Sequence, residues 1–207
     1  KPLQSQINPH FLYNTLDSII WMAEGKKYED VVLMTASLAR LLRQSISNED
    51  ETVLIGQEIQ YVKSYLTIQK MRYKDKLEFE INVDPSINSV HIVKLVLQPI
   101  VENAIYHGLK YKESKGLLTV TGYQKNQNAV IEITDDGVGM DEETLNHIFE
   151  KHKVNYRSNG VGVYNVQKRL CMYYGKEYGL HYESEPGHGT TVTVTIPMEQ
   201  EEQHEKA

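Results

Sequence analysis

The segment AVIEITDDGVGM, residues 129–140, limits which architecture this chain can adopt. Its alternating apolar and polar side chains predict a β-strand, and Asp135 ends that strand, two residues before Gly137 and four before Gly139. A carboxylate fixed there accepts a hydrogen bond from the amino group of adenine and repels the carbonyl oxygen of guanine. The glycines let the backbone turn and lie against a flat ring. A tight turn without a ligand fits the same residues.

A second glycine pair, Gly160 and Gly162, stands just before a predicted helix in SNGVGVYNV (158–166). Free N–H groups at a helix N-terminus, together with the helix dipole, would bind phosphate oxygens there. A lid hinge or a plain helix start is the alternative. The segment is not a Rossmann fingerprint, because no strand leads directly into it and the third glycine is absent. A GxxxxGK[ST] P-loop occurs nowhere in the sequence.

Two further motifs carry polar groups in unusual places. QPIVENAIYHG (98–108) puts Glu102, Asn103 and His107 on a largely apolar helix, where polar groups are costly unless they face a site or have partners. An Asn103 carbonyl oxygen suits Mg²⁺, and His107, one turn later, would donate to a phosphate. For His107, a capping or hydrogen-bonded core histidine is the alternative.

The last glycine motif, PGHGTTVTV (186–194), predicts a turn followed by a strand. Gly187 and Gly189 would relax the backbone near a ligand, and Thr190 would support Asp135 beside the adenine. Taken alone this motif is weak, because Gly-Thr before a strand is common.

The remaining periodicities predict an α+β chain, with an N-terminal helical hairpin followed by an α/β sandwich on a mixed sheet. KNQN (125–128) predicts a hairpin turn between two strands. Helices are predicted at 3–24, 28–46, 57–74, 92–108, near 141–149 and at 161–175, and strands at 77–83, 117–124, 129–135, 178–184 and 190–197. We expect domains at 1–48 and 49–198 and a charged tail at 199–207. Two helices cannot bury both apolar faces alone, so the hairpin is expected to dimerise as a four-helix bundle.

The composition of the 207 residues is that of a soluble globular protein, with mean hydropathy −0.48 and a formal net charge of −6. No basic cluster predicts a nucleic-acid partner, and no apolar run is long enough to span a membrane. The single cysteine, Cys171, fits a reducing compartment. Because the chain opens inside a helical pattern, we expect a piece of a longer protein.

Pro9 lies within the helical pattern of LQSQINPHFLYNTLDSII (3–20) and next to His10. Either Asn8 caps a helix that begins at Pro9, or the helix runs through Pro9 and bends there. His10, Asn14 and Asp17 share one face of that helix by their spacing.

The glycine motifs, in this order and spacing, resemble the ATP-binding fold shared by histidine kinases, type II topoisomerases, mismatch-repair ATPases and the ninety-kilodalton heat-shock chaperones, known as the GHKL fold. INPHFLYNTLDSI, YLTIQKMRY and LQPIVENAIYHG together resemble the LytS- and YesM-like sensor histidine kinases. The resemblance covers residues 1–197.

This resemblance implies that ATP is the substrate, with Mg²⁺ held by Asn103, and that His10 accepts the phosphoryl group. It further implies that Asp135 binds adenine between Gly137 and Gly139, and that Gly160 and Gly162 bracket the phosphates below a lid at about 141–159. Gly187, Gly189 and Thr190 would then close the pocket. The family pattern favours a helix that continues through Pro9 with a bend.

The implied reaction is autophosphorylation within a homodimer, followed by transfer to an aspartate on the receiver domain of a response regulator. Phe11 stands where many histidine kinases carry an acidic helper, so Glu102 is the preferred polar assistant and Asn14 the residue that orients the ring. Two alternatives stay open: an ATP-hydrolysing switch that uses Glu102, and a degenerate module that binds nucleotide and signals without catalysis.

Two further departures from the family pattern concern the phosphates and the base. Tyr106 stands where a phosphate-contacting lysine is common, and Asp136 replaces the commoner asparagine. Lys151, Lys153 and Arg157 in the lid are possible substitutes for that lysine, although a solvated loop explains each of them equally well.

Overall fold

In the computed structural model, residues 7–46, 51–150 and 160–199 are described. Two helices come first, and a sandwich of helices on a sheet follows. The helices are α1 (Pro9–Glu24), α2 (Tyr28–Ile46), α3 (Ile55–Tyr73), α4 (Leu97–Asn103), α5 (Glu142–Asn146) and α6 (Gly160–Tyr174). The strands are β1 (Thr52–Leu54), β2 (Leu77–Val83), β3 (His91–Val93), β4 (Gly116–Lys125), β5 (Asn128–Asp135), β6 (Gly179–Glu185) and β7 (Gly189–Pro197).

The main sheet has five strands in the order β2-β4-β5-β7-β6. β2 pairs with β4 in parallel and the other neighbours pair antiparallel, so the sheet is mixed, as the sequence predicts. The predicted KNQN turn is present: Asn126 and Gln127 have φ of 51° and 64°, and two consecutive positive φ values are what a two-residue type I′ hairpin requires.

One face of the sheet carries the core. Val120, Ile133 and Val192 lie opposite one another on three adjacent strands and are all buried. Helices α3, α4 and α6 contribute to the same core, as do Met34 and Leu41 of α2. The helical hairpin and the sandwich therefore share one hydrophobic core.

Side chains in a strand alternate between its faces, so Asp135 lies on the same face as the buried Ile131 and Ile133. The strand thus carries its terminal carboxylate on the side that the helices cover.

The predicted helix at 92–108 is wrong at its beginning. His91–Val93 forms β3, which pairs antiparallel with the three-residue strand β1, and Leu95 has a φ of 59°. Helix α4 begins only at Leu97, because the left-handed backbone at Leu95 interrupts any earlier helical turn.

The buried carboxylate of Glu58 on α3 caps this late helix start. It accepts hydrogen bonds from the backbone N–H groups of Leu95 at 2.7 Å and Leu97 at 2.9 Å. Arg169 of α6 donates to the carbonyl oxygens of Lys94 and Leu95 from the other side. One short loop thereby joins α3, α4 and α6.

The bend expected at Pro9 is also corrected. Helix α1 begins at Pro9, and Asn8, with φ −55° and ψ 122°, is its N-cap. The Asn8 side chain accepts a hydrogen bond from the N–H of His10 at 2.9 Å. Proline is harmless at the first helical position because its missing N–H would have no partner there. Residues 1–6 of the predicted helix lie outside the described residues.

The boundaries of the predicted lid and linker also fall partly outside the described residues. Helix α5 and the turn that follows it occupy 142–150, whereas Lys151, Lys153 and Arg157 lie outside. The same is true of 47–50 in the linker and 200–207 in the tail.

Candidate functional site

Asp135 is the buried acid at the end of β5, with 4% of its surface exposed. Its Oδ1 accepts a hydrogen bond of 2.9 Å from the N–H of Gly137. Burial raises the pKa of Asp135 from 3.8 to about 6, against the opposing effect of the Gly137 hydrogen bond. A buried carboxylate with one oxygen unclaimed by Gly137 is suited to accept a hydrogen bond from a ligand.

Glycines bring backbone directly against this carboxylate. A Cβ on Gly108 would lie 2.6 Å from Asp135 Oδ1, and a Cβ on Gly137 would lie 2.2 Å from the carbonyl oxygen of Gly108. The N–H of Val138 also donates to that carbonyl oxygen, at 3.1 Å. Gly108 ends the motif QPIVENAIYHG and has no predicted role, because its neighbour Asp135 is distant in the chain.

Gly189 and Thr190 lie beside Asp135, and Gly139 lies against Glu185 and Gly189. Gly139 has φ +68° and Gly189 has φ +88°, and a Cβ on Gly189 would lie 1.9 Å from the Asp135 carbonyl oxygen. Thr190 is paired with Asp135 across β5 and β7, and its Oγ1 lies 2.7 Å from Ser184 Oγ. Ser184 also accepts from the N–H of Met140 and thus ties the end of the AVIEITDDGVGM motif to the sheet, a role of which the sequence carries no sign.

The other predicted glycines lie further from this carboxylate. Gly187 has φ +79° in the turn between β6 and β7, and no atom lies within 4 Å of a Cβ built there. Gly160 is the first residue of α6. At Gly162 a Cβ would lie 3.7 Å from Pro99, so α6 begins beside α4.

Asn103 ends α4 with its side-chain oxygen shielded from solvent. Among the described residues, Oδ1 of Asn103 has no hydrogen-bond partner. A shielded amide oxygen without a partner fits a hard cation such as Mg²⁺, so the residue present is compatible with the predicted metal. In the described parts of the chain, no three His, Cys, Asp or Glu side chains group as a metal site.

Glu102 is half-buried beside Asn103. It accepts a hydrogen bond of 2.9 Å from Gln98, and burial raises the pKa of its carboxyl. His107 is exposed and lies edge-on to Tyr106 at 5.1 Å. Although His107 is exposed, neighbouring atoms still shield part of its ring. This partial burial, with a smaller effect of the Lys110 charge, lowers the pKa of His107.

The helix changes its pitch after Asn103. Ala104–Leu109 is a π-helix, and the N–H of Lys110 donates to Ile105 O at 3.0 Å, five residues back. Such wide turns are rare and often occur at functional sites. This π-helix ends with Gly108 against Asp135.

His10 lies exposed in the first turn of α1 and lines a groove between α1, α3 and α4. The Asn14 amide nitrogen lies 3.2 Å from its Nδ1 and 3.3 Å from its Nε2. The two lone-pair directions of an imidazole diverge in the ring plane, so Asn14 contacts both nitrogens without favouring one of them. Phe11 packs on Tyr65 of α3, with ring centroids 5.2 Å apart.

Glu102 lines the same groove as His10 and Asn14. The three residues predicted as catalytic therefore lie together, and the residues around Asp135 form a second group. The α4–π segment connects the two, because Glu102 belongs to the first group and Gly108 contacts the second. Arg72 and Lys110 also line the groove, and neither of them has a role predicted from the sequence.

Asp136, the departure beside Asp135, has structural partners. Its Oδ1 accepts from the N–H of Leu117 at 2.8 Å, and its Oδ2 lies 2.9 Å from the Lys112 ammonium. These contacts hold its carboxylate at the β4 side.

Comparison with known proteins identifies both parts of the chain. Residues 1–77 match the family model described as histidine kinase, and residues 89–200 match the model described as histidine kinase-, DNA gyrase B-, and HSP90-like ATPase. In the part of the chain that the structure describes, no helix is both long and apolar enough to cross a membrane.

Similar proteins are sensor kinases. The sensor histidine kinase YesM of Bacillus subtilis is 36% identical over 97% of this chain and 33% of its own length. The sensor protein LytS of Staphylococcus haemolyticus is 31% identical over 95% of this chain and 34% of its own length. The chain thus spans about a third of these relatives.

Among solved structures, the catalytic domain of histidine kinase ThkA superposes with a TM-score of 0.55 at 16% identity, over 71% of this chain and 96% of that one. At that identity the likeness concerns the fold. The two family models together establish that the chain belongs to the histidine kinase-, DNA gyrase B-, and HSP90-like ATPase family and carries the catalytic region of a sensor histidine kinase.

Proposed function

We propose that this chain transfers the γ-phosphoryl group of ATP to a ring nitrogen of His10 and then to an aspartate of a response-regulator receiver domain. The observation that carries the proposal is the placement of the α4–π segment. In this segment Glu102 lines the groove of His10, and the next residue, Asn103, has a side-chain oxygen without a partner among the described residues. At the other end of the segment, Gly108 lies against Asp135.

Asp135 is the proposed base-binding residue. Its Oδ1 is engaged by Gly137, so its second oxygen would accept the amino group of adenine. Gly108, Gly137 and Gly139 would keep this edge free of side chains, and Gly189 and Thr190 would support it from β7. Gly187 would close the pocket from the turn before β7.

The phosphates would lie between α4 and the start of α6. Gly160 and Gly162 would offer backbone N–H groups, and His107 a side-chain donor. Asn103 would hold Mg²⁺, which neutralises phosphate charge when it is bound.

In the transfer step, a neutral imidazole nitrogen of His10 attacks the γ-phosphorus; the P–N bond forms, the P–O bond breaks, and ADP leaves. Asn14 would orient the ring, and Glu102, in the same groove, would accept the ring proton. Positioning does most of the catalytic work in such reactions, which fits a phosphoacceptor held close to α4.

The helical hairpin supports a homodimer. Tyr13, Leu16 and Ile20 follow one another at helical spacing along α1 and are exposed, as are Trp21 of α1 and Val32 of α2. A contiguous apolar surface of this kind marks an interface, and a second copy would cover it. We also propose that the chain is the cytoplasmic part of a longer, membrane-anchored sensor.

Incubation with γ-labelled ATP tests the function. We expect acid-labile, base-stable label on the protein that His10→Ala removes, with passage of the label to a receiver domain. Release of phosphate without label on the protein would instead indicate an ATPase switch, provided that Glu102→Gln abolishes the release. Nucleotide binding with neither product would indicate a non-catalytic module.

A further inference from the structure

Two cationic side chains line the groove of His10, and neither has an acidic partner among the described residues. Arg72 comes from the end of α3, and Lys110 directly follows the π-helix. Within residues 7–46, 51–150 and 160–199, no carboxylate forms an ion pair with either of them. Lys110 lies 4.3 Å from the Tyr106 ring centroid, which is a neutral partner.

Arg72 is held in place by neutral groups. Its Nη1 donates to Gln69 Oε1 at 3.3 Å, and the buried Gln69 donates in turn to the Tyr65 hydroxyl at 2.9 Å. The Tyr65 ring contacts Phe11, the residue after His10. The guanidinium is therefore oriented by a chain that reaches the phosphoacceptor helix, while most of its five donors stay available.

The charges of the groove call for an anion. Among the described residues that line the groove, Glu102 is the one carboxylate, and its Oε1 accepts from Gln98. Two cations against one carboxylate leave a positive excess, and the tyrosines that line the remainder carry no charge near neutral pH. The groove has a volume of about 140 Å³, whereas one water needs roughly 10–15 Å³ of such space. A phosphoryl group therefore fits.

We propose that this groove is a binding site for the phosphoryl group carried by His10, with Arg72 and Lys110 binding its oxygens. The inference rests on the proposed function, since it names where the product of autophosphorylation lies. A planar guanidinium matches two phosphoryl oxygens at once, and the ammonium adds a point charge. The groove would stabilise the phosphorylated state and keep its group beside α3 until a partner takes it.

Phosphoramidate provides a test that needs no ATP, because it phosphorylates exposed histidines chemically. The ³¹P resonance of phospho-His10 in the whole chain is assigned by its absence in His10→Ala, and its pH titration gives the pKa of the phosphoryl group. Nearby cations favour the dianion, so we expect this pKa to lie below that of free N-phosphohistidine. Arg72→Gln and Lys110→Gln should each raise it by roughly one unit, a tenfold change in the ratio of dianion to monoanion.

Two variants control this experiment. Arg72→Lys keeps a charge and should retain most of the effect. Lys70→Gln removes a cation from the same helix that pairs with Glu78 instead, and it should change nothing.

An unchanged phosphoryl pKa in Arg72→Gln and Lys110→Gln would overturn the proposal. A loss of ATP affinity in these variants without a change in that pKa would also overturn it, because the cations would then bind the γ-phosphate of ATP. The same holds if phosphoramidate phosphorylates other histidines of the chain but not His10. A lowered pKa in a protein that takes no label from ATP would support the groove and refute the kinase. If the protein takes label from ATP but the phosphoryl pKa is unchanged in Arg72→Gln and Lys110→Gln, the kinase is supported and the groove proposal is refuted.

Discussion

Replacing Asp135 by Asn should stabilise the nucleotide-free protein and remove its response to ATP. In the folded chain burial raises the pKa of Asp135 from 3.8 to about 6. The unfolded chain ionises this carboxyl first, so the folded state loses stability as pH rises through that window, and the loss is complete above it. A shift of about 2 units corresponds to about 3 kcal/mol at pH 8 and to only about 0.5 kcal/mol at pH 4.

Asn cannot ionise and escapes this loss. The expected gain is about 2–3 kcal/mol in the free energy of unfolding at pH 8, because the amide oxygen can still accept from Gly137. Keeping that hydrogen bond turns the amide NH₂ of residue 135 toward the ligand, where it opposes the amino group of adenine. Wild-type protein at a hundredfold excess of ATP over Kd should gain about 2.7 kcal/mol, and the variant should gain none.

Urea unfolding between pH 4 and 8, with and without ATP and magnesium, measures both effects. Asp136→Asn is the matched control, because Asp136 is exposed and bound to Leu117 and Lys112. Because the Asp136 charge contributes to the raised pKa of Asp135, this control should show only a small part of the pH-dependent gain, and it should keep the full ATP response. An Asp135→Asn protein that is no more stable than wild type at pH 8, or that keeps its stabilisation by ATP, would refute the reasoning.

Three further substitutions test other parts of the structure. Gly189→Ala should lower the stability measured by thermal denaturation by about 3–4 kcal/mol, since its Cβ would meet the Asp135 carbonyl oxygen. Gly187→Ala, also at positive φ but in open space, should lower it by about 1 kcal/mol, and equal losses would contradict this explanation. Glu58→Ala should cost about 3–5 kcal/mol in urea unfolding, because it leaves the buried N–H groups at the start of α4 without acceptors; a neutral effect would remove its capping role. Ile20→Glu should convert the proposed dimer to a monomer by light scattering, and an unchanged mass would place the interface elsewhere.

The sequence predicted the sheet and the placement of its terminal acid well. Alternation alone was enough for β4, β5 and β7, because each strand has one face on the core. The same alternation, continued through Ile133, places Asp135 on the helix-covered side. Chain-local pattern and tertiary environment agree there.

Features that depend on distant contacts were missed. The start of α4 was placed too early because β1 pairs with β3, and three-residue strands leave no periodicity in the sequence. The π-turn after Asn103 has no compositional sign, and Gly108 gains its importance from Asp135. At Pro9 the local signal, an Asn-Pro helix start, matched the structure better than the family pattern did.

The groove was predicted only in part. His10 and Glu102 are far apart in sequence, so their roles could be predicted but not the fact that they line one groove. Arg72 lies in, and Lys110 directly follows, a helical segment that the sequence identifies by its apolar spacing, which says nothing about either charged side chain. Both line the groove only because α3 and α4 pack together.

The two helices of the hairpin are anchored very unequally. Thr15 is the one wholly buried side chain of α1, whereas α2 inserts Met34, Leu38 and Leu41 into the common core. Opening α1 within a protomer would uncover only partly buried apolar side chains of its own, those of Phe11, Leu12, Ile19 and Met22, so its amide protons should exchange with deuterium before those of α2. Helix α1, which carries His10, is thus the less deeply anchored of the two, and under the proposed function its movement would let His10 meet first the nucleotide and then the receiver domain while the rest of the chain stays folded.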